Sequence, residues 1–247
     1  MALVFLSHSS ADKPFVRKLA IDLMKSGYDV WLDEWDVLVG ECILTGIEGG
    51  ILKSDYAVIV LSPKAVASGW VDREWKAKYW TEVDEGKVSV LPLLLKDCEI
   101  PELLKTKRYA DFRGDYRSGL TDLLRGLSPA DGARFAFRER VLAAQRDLND
   151  LTAQRIGPES KALHGKPLTF ENHPERFAEV SQFAQESIAL YSREVADDID
   201  GIVEALPDFG LSNEDLTEHR KYTTNTIGWR KVSDALGDVA RTLMKAN

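Results

Sequence analysis

Apolar residues follow two different rhythms along this chain. Up to about residue 127, short apolar runs alternate with amphipathic stretches. Ala2–Ser7 (ALVFLS) is almost wholly apolar, as a parallel strand buried on both faces must be. Asp12 is placed to cap a following helix that admits Pro14 in its first turn. Phe15, Leu19 and Leu23 then recur every four residues, and Gly27 suits the stop. A second strand is read at Tyr28–Leu32, then a loop through Gly40 and a helix over Ile43–Lys53. The clearest strand is Tyr56–Leu61 (YAVIVL), closed by Ser62-Pro63. SGWVDREWKAKYW, Ser68–Trp80, reads as the next helix. Val88–Leu95 is another apolar run, in which Pro92 calls for an edge position or a local distortion. A short strand at Arg108–Phe112 and a helix at Tyr116–Leu127 complete the alternation. Five β-units with intervening helices predict an α/β fold, a five-stranded parallel sheet of flavodoxin-like type.

Beyond Ser128-Pro129-Ala130-Asp131-Gly132, a run of turn formers read as a linker over 128–133, only helical spacing remains. Phe137, Val141, Ala144, Leu148 and Leu151 are spaced 4-3-4-3. Val195, Ile199, Ile202 and Leu206 are spaced 4-3-4, as are Val232, Leu236, Val239 and Leu243. This predicts two domains: an α/β domain over 1–127, then an all-α bundle over 134–247 that stabilises itself, drives self-association or senses a signal.

Composition narrows the function. A net charge of −8 with pI near 5.2 argues against a general nucleic-acid binder. Two cysteines without a CxxC pair, and four scattered histidines, predict neither a disulfide framework nor a metal site. The sequence shows no signal peptide and no apolar run of the roughly 18 residues a membrane span needs, so a cytoplasmic protein is expected. Neither GxGxxG nor GxxxxGKS occurs, which disfavours dinucleotide-fold dehydrogenases and P-loop enzymes.

A sheet of this kind binds ligands beyond the carboxyl ends of its strands, where strand order reverses. The segments to watch are therefore SHSS, DEWDVLVG and SPKAVASGW. On a helix, Trp70 and Glu74 share a face, with Trp75 and Tyr79 on a neighbouring one. That spacing leaves two readings open. Either a carboxylate is held beside an indole that can stack on a flat ring, or Glu74 pairs with Lys78 at the surface while the tryptophans cap the core. Ser7, His8 and Ser9 bring hydroxyls and backbone N–H groups to the first switch segment, suited to a ribose or phosphate, and His8 reads foremost as a polar loop residue, ahead of a catalytic base. Trp31 suits either base stacking or the sheet core. Arg73 reads as an exposed arginine or a phosphate contact. Asp33, Glu34 and Asp36 read as a solvated loop tip or a cation cluster, and Cys42 and Cys98 as structural.

These motifs, taken in order, resemble a TIR (Toll/interleukin-1 receptor) domain of the bacterial type over about residues 1–127. They are Phe5-Leu6-Ser7-His8-Ser9 with Asp12 beyond, Trp31-Leu32-Asp33, the loop ending at Gly40, Ala57–Ser62 and the Ser68-x-Trp70-x-x-x-Glu74 cluster. Val39-Gly40 replaces the more usual Pro-Gly, and no Phe-Trp box is visible near the end of the domain. The resemblance implies an NAD glycohydrolase or cyclase that cleaves the nicotinamide–ribose bond, with Glu74 as the catalytic residue. Ser7, His8, Ser9, Trp31, Ser68 and Trp70 would contact the substrate. NAD would be the substrate, with no cofactor or metal required. The resemblance further implies activation by self-association through TIR copies, in an antiphage immune effector whose activating ligand or partner is unknown, with no nucleic acid or membrane involved. The alternatives are a non-catalytic TIR scaffold for protein–protein assembly, and a nucleoside hydrolase or deoxyribosyltransferase using the same carboxylate.

Overall fold

Apolar runs at both faces of each strand become a single parallel sheet. β1 (Leu3–Ser7), β2 (Asp29–Trp31), β3 (Tyr56–Leu61), β4 (Val90–Leu94) and β5 (Ala110–Asp111) lie in the order β2-β1-β3-β4-β5. This is the flavodoxin-like order, with the reversal between β1 and β3. The computed structural model describes residues 1–37, 40, 42–67, 78, 79, 82, 89–155, 195–222 and 226–244. The chain divides into two compact units, Met1–Phe135 and Ala136–Lys245.

Alternation along the strands sends side chains to both sides of the sheet. Val4, Leu6, Val58, Val60 and Leu93 pack with Leu19 and Leu23 of α1 (Lys13–Lys25) and with Leu120 and Leu124 of α5 (Tyr116–Leu127). On the other side Phe5 meets Ile47 and Ile51 of α3 (Ile43–Lys53). Ala57, Ile59 and Leu61 pack there with Ala65 of α4 (Pro63–Ala67) and with Tyr79. α1 ends where Gly27 takes a positive φ of 90°, and the Gly27 and Tyr28 N–H groups close the last turn on Met24 and Leu23. A single helical turn, α2 (Asp33–Asp36), follows β2 in place of a plain loop.

Pro92 stands inside β4, opposite Ile59 of β3. The β4–β5 ladder begins only at Leu93↔Ala110, so Pro92 faces no ladder partner on that side. The short β5 thus supplies the edge position that a strand proline needs.

Ser128–Gly132 is not a linker loop. Its residues begin α6 (Pro129–Arg155): the Ser128 side chain accepts from Asp131 N–H at 3.3 Å, and Pro129 takes the first helical position. A serine cap followed by proline makes turn formers into a helix start.

In the second unit the expected periodic residues are all buried, from Phe137, Val141 and Leu148 of α6 to Ile199 and Ile202 of α7 (Ala196–Ala205). Val232, Leu236, Val239 and Leu243 of α9 (Thr226–Met244) join the same core, as does Leu216 of the short α8 (Glu214–Thr217). No strand occurs in this unit among the described residues. Polar groups are threaded through the core: Ser233 donates to Asn149, Gln145 donates to the Ser233 carbonyl, and buried His219 meets Asp200 at 2.8 Å. Among the described residues no helix is long and apolar enough to cross a membrane.

Candidate functional site

β1 delivers Ser7 and His8 to the carboxyl edge of the sheet, beside the β1/β3 reversal. Both are buried, at 2% and 8% exposure. The Ser7 hydroxyl has no hydrogen-bond partner among the described residues. His8 Nδ1 lies 3.1 Å from the Leu6 carbonyl, which can only accept, so Nδ1 carries a proton. In the neutral ring Nε2 is then an acceptor. His8 is thus a built part of this edge rather than a solvated loop residue. Ser9 serves the backbone: its hydroxyl accepts from Ala11 N–H at 3.3 Å and caps the turn Ser10–Asp12.

Asp12 does not cap α1 with its side chain. It is buried, and its carboxyl accepts from the Ser62 hydroxyl at 2.6 Å. Ser62 in turn accepts from Ala65 N–H at 3.1 Å. The ends of β1 and β3 are thereby cross-tied, and α4 is capped, immediately before the segment that carries Ser68, Trp70 and Glu74.

The three acids of α2 turn three ways and form no cation cluster. Among the described residues no group of three or more His, Cys, Asp or Glu side chains could hold a metal ion. Glu34 is bidentate to Arg17 at 2.5 and 2.8 Å, with Lys13 at 3.4 Å. The Arg17 bonds hold its carboxyl down at about 2, from 4.5. Asp36 accepts from Leu32 N–H at 2.7 Å. Asp33 instead turns inward. Its Oδ1 is buried without a hydrogen-bond partner and lies 3.7 Å from His8 Nε2, beyond hydrogen-bonding range.

Phe5, Leu6, Ser7, His8, Trp31, Asp33 and Ile47 together line a small pocket at this edge. Trp31 forms its wall, with its ring stacked on Phe5 at 4.7 Å and 19°. A Cβ on Gly50 would fall 2.5 Å from the indole, so glycine is what lets α3 lie against it. Trp31 thus belongs to the small core of Phe5, Ile47 and Ile51, the core reading of the two, and it also lines the pocket.

Ser68, Trp70 and Glu74 lie outside the described residues, as does Arg73. Of the neighbouring aromatics Tyr79 is described, and it packs on the Ala57–Ile59–Leu61 side of the sheet. Lys78 donates to the Ser54 carbonyl at the end of α3. Cys98 is half-buried, and burial pushes its thiol up, away from a reactive thiolate. Asp33 and the Asp12–Ser62 tie were missed as site elements. The available signal was their position, since each follows a strand at the reversal edge.

Residues 4–124 match the TIR domain family. The chain is 33% identical over 90 residues to the 2′ cyclic ADP-D-ribose synthase BtTIR of Bacteroides thetaiotaomicron, covering 36% of this chain and 31% of that protein. It is 38% identical over 91 residues to the NAD(+) hydrolase TcpA of a Theionarchaea archaeon, covering 36% and 27%. It is 36% identical over 91 residues to the NAD(+) hydrolase TirS of Staphylococcus aureus, covering 36% and 32%. The chain therefore spans about a third of the length of these curated relatives. Among solved structures it is similar to the TIR domain of a Toll-related receptor from Hydra magnipapillata. That likeness has 20% identity, covers 45% of this chain and 84% of that one, and has a TM-score of 0.38; the fold assignment rests on the strand order instead.

Proposed function

Since residues 4–124 of this chain are a TIR domain, we propose that the protein cleaves the nicotinamide–ribose bond of NAD, with Glu74 as the catalytic carboxylate. The observation that carries this reading is the reversal edge, where Ser7 and Asp33 hold buried polar atoms without partners beside Trp31. Buried polar groups without a protein partner mark a place that water, an ion or a ligand completes. Relatives of the same domain are named for NAD hydrolysis or for synthesis of cyclic ADP-ribose.

One carboxylate is enough for this bond. Ordinary glycosidases need a second acid to protonate the leaving alcohol. The nicotinamide of NAD is already a cationic pyridinium and departs neutral, so no general acid is required. The remaining tasks are to hold the ribose hydroxyls and to offset the oxocarbenium-like charge. Glu74 does both through charge-assisted hydrogen bonds. Trp70 walls the reacting carbon and governs whether water or a hydroxyl of the same molecule captures it, giving ADP-ribose or a cyclised product. Ser68 and Ser9 line the approach. NAD is the substrate, and no metal or further cofactor takes part. The site is completed by self-association of TIR copies, in the setting of a bacterial antiphage effector, so turnover per molecule rises with protein concentration.

The test is nicotinamide release from NAD by the full chain and by Glu74→Gln at high protein concentration. The expected result is release by the wild type and a loss of about 10²–10³-fold in the variant. Retained turnover in Glu74→Gln overturns the assignment.

A further inference from the structure

We propose that Asp12 is a positioning residue for Glu74, acting through Ser62. Its carboxylate fixes the Ser62 hydroxyl, and the hydroxyl fixes the start of α4. That start sets the point from which the chain carrying Ser68, Trp70 and Glu74 departs. This rests on the reading of the protein as an NAD-cleaving enzyme, and deepens it by naming what ties the catalytic segment to the sheet.

The tie joins the strands on either side of the reversal. Asp12 ends the turn that follows β1, where its N–H donates to the Ser9 carbonyl at 2.8 Å. Ser62 is the residue after β3. Both are buried, at 3% and 1% exposure, although fifty residues of chain separate them. A carboxylate only accepts, so the hydroxyl proton goes to Asp12 at 2.6 Å. The serine oxygen is left to accept from Ala65 N–H at 3.1 Å. The Ser62 carbonyl takes the next N–H, that of Val66, at 3.0 Å. Ser62 therefore caps α4 with its side chain and its backbone together. Ala65 is fully buried in the cluster of Ala57, Ile59 and Leu61. α4 ends at Ala67, and Glu74 stands twelve residues beyond Ser62.

A cap needs no acid behind it. Serine caps a helix alone, and α5 and α8 are capped directly by Asp115 and Asn213, at 2.8 and 3.0 Å. A carboxylate is costly to bury unless it is hydrogen-bonded, so helix stability gives little reason to place one behind a serine. What the acid adds is direction. A free serine hydroxyl samples staggered positions, whereas one bonded at both its proton and its oxygen holds a single one. The start of α4 is then referred to the end of β1, the strand that delivers Ser7 and His8, and not to β3 alone.

Catalysis is steep in distance, about 100-fold for a misplacement of roughly 1 Å, so loosening the start of α4 should cost about tenfold. The experiment uses the full chain as Ser62→Ala, Asp12→Ala, the double variant, and Asp12→Asn, whose amide oxygen still accepts from Ser62. Nicotinamide release is normalised to the folded fraction from urea denaturation, and exchange of the Ala65 amide hydrogen is followed by NMR. The expected result is a kcat about tenfold lower in each alanine variant, with KM within about twofold and no further loss in the double variant. Ala65 exchange should quicken about tenfold in Asp12→Ala, and Asp12→Asn should stay within about threefold of wild type in both readings. A merely structural role lowers the folded fraction but leaves kcat per folded molecule unchanged, and that result overturns the proposal. Losses that multiply in the double variant overturn it too, as does an Asp12→Asn variant as impaired as Asp12→Ala. Unchanged Ala65 exchange in Asp12→Ala overturns the tie whether or not NAD is cleaved. Faster exchange there, without any nicotinamide release by the wild type, upholds the tie and overturns the proposed reaction alone.

Discussion

At the amino ends of the strands nearly every buried polar group has found a partner, whereas at the carboxyl ends two that matter have not. On the amino side Tyr28 donates to Asp131 at 2.6 Å, Tyr56 donates to the Leu127 carbonyl, and Asp55 accepts from Leu3 N–H. Glu82 accepts from the Ser89 and Val90 N–H groups at 2.9 and 2.7 Å and pairs with Lys107, which also donates to the Val90 carbonyl. The Ser89 hydroxyl is the exception. On the carboxyl side the Ser7 hydroxyl and Asp33 Oδ1 stay buried beside a stacked tryptophan without a hydrogen-bond partner among the described residues, His8 Nε2 lying 3.7 Å from the carboxylate. Both ends belong to the same sheet with the same core, so the difference is not one of fold quality. One end is finished for stability. The other holds two groups that the protein itself leaves without a hydrogen-bond partner.

Breaking the finished end should have the largest effect on stability. Burial alone would push the Glu82 carboxyl up, but bonds from Lys107 and the two strand N–H groups outweigh it and hold the group below the usual carboxylate range. Removing this acid by Glu82→Ala leaves a half-buried ammonium and two strand N–H groups without an acceptor. The expected loss is about 3 kcal/mol, read by urea denaturation. Nicotinamide release per folded molecule should stay at the wild-type level. A loss under about 1 kcal/mol would mean that the amino edge is not the better-secured end.

Legibility in the sequence divides along the same line. Periodicity reports burial, and so the apolar residues were readable: Val195, Ile199, Ile202 and Leu206 are each 2% exposed or less, as the 4-3-4 spacing predicts. The parallel sheet followed from runs such as Tyr56–Leu61, buried on both faces. What periodicity does not report is the direction taken by a polar side chain. Asp33, Glu34 and Asp36 look alike in sequence, yet one faces a pocket, one faces Arg17 and one closes a backbone turn. Asp12 was legible as a cap, but its carboxyl turned to Ser62, fifty residues away. Ser128-Pro129 read as a break because the residues that begin helices also make turns. Glu74 was singled out by the order of the motifs around it, because its spacing alone left two readings, and it lies outside the described residues.

Relieving the unfinished end should have a smaller effect, with opposite signs on stability and binding. Ser7→Ala removes a buried hydroxyl that has no partner in the free protein. The expected change is a gain of up to about 1 kcal/mol in urea denaturation. The same variant loses a hydroxyl that the proposed function sets at the substrate edge, so NAD should bind about fivefold more weakly by calorimetry. Destabilisation of more than about 1 kcal/mol would show that Ser7 is already satisfied, and would remove the contrast between the two edges.

The smallest effect sharpens the contrast within one helical turn, between Asp33 and its neighbour Glu34. The Glu34 carboxyl is held at about 2 by Arg17, so its folded value lies below its ordinary 4.5. A depressed acid contributes stability that is fully present above its unfolded value and is lost as pH falls through the folded value. The window is therefore from about 4.5 down to about 2. The Arg17 side chain is 55% exposed, so screening limits the pair to a few tenths of a kcal/mol. Arg17→Ala should lower stability by that amount at pH 7 in low salt, and the gap between variant and wild type should narrow as pH is taken below 4. A gap that stays constant with pH would assign the loss to the packing of the Arg17 stem. The bidentate pair with Arg17 would then not be what sets Glu34 apart from Asp33, whose carboxylate lies 3.7 Å from His8 Nε2.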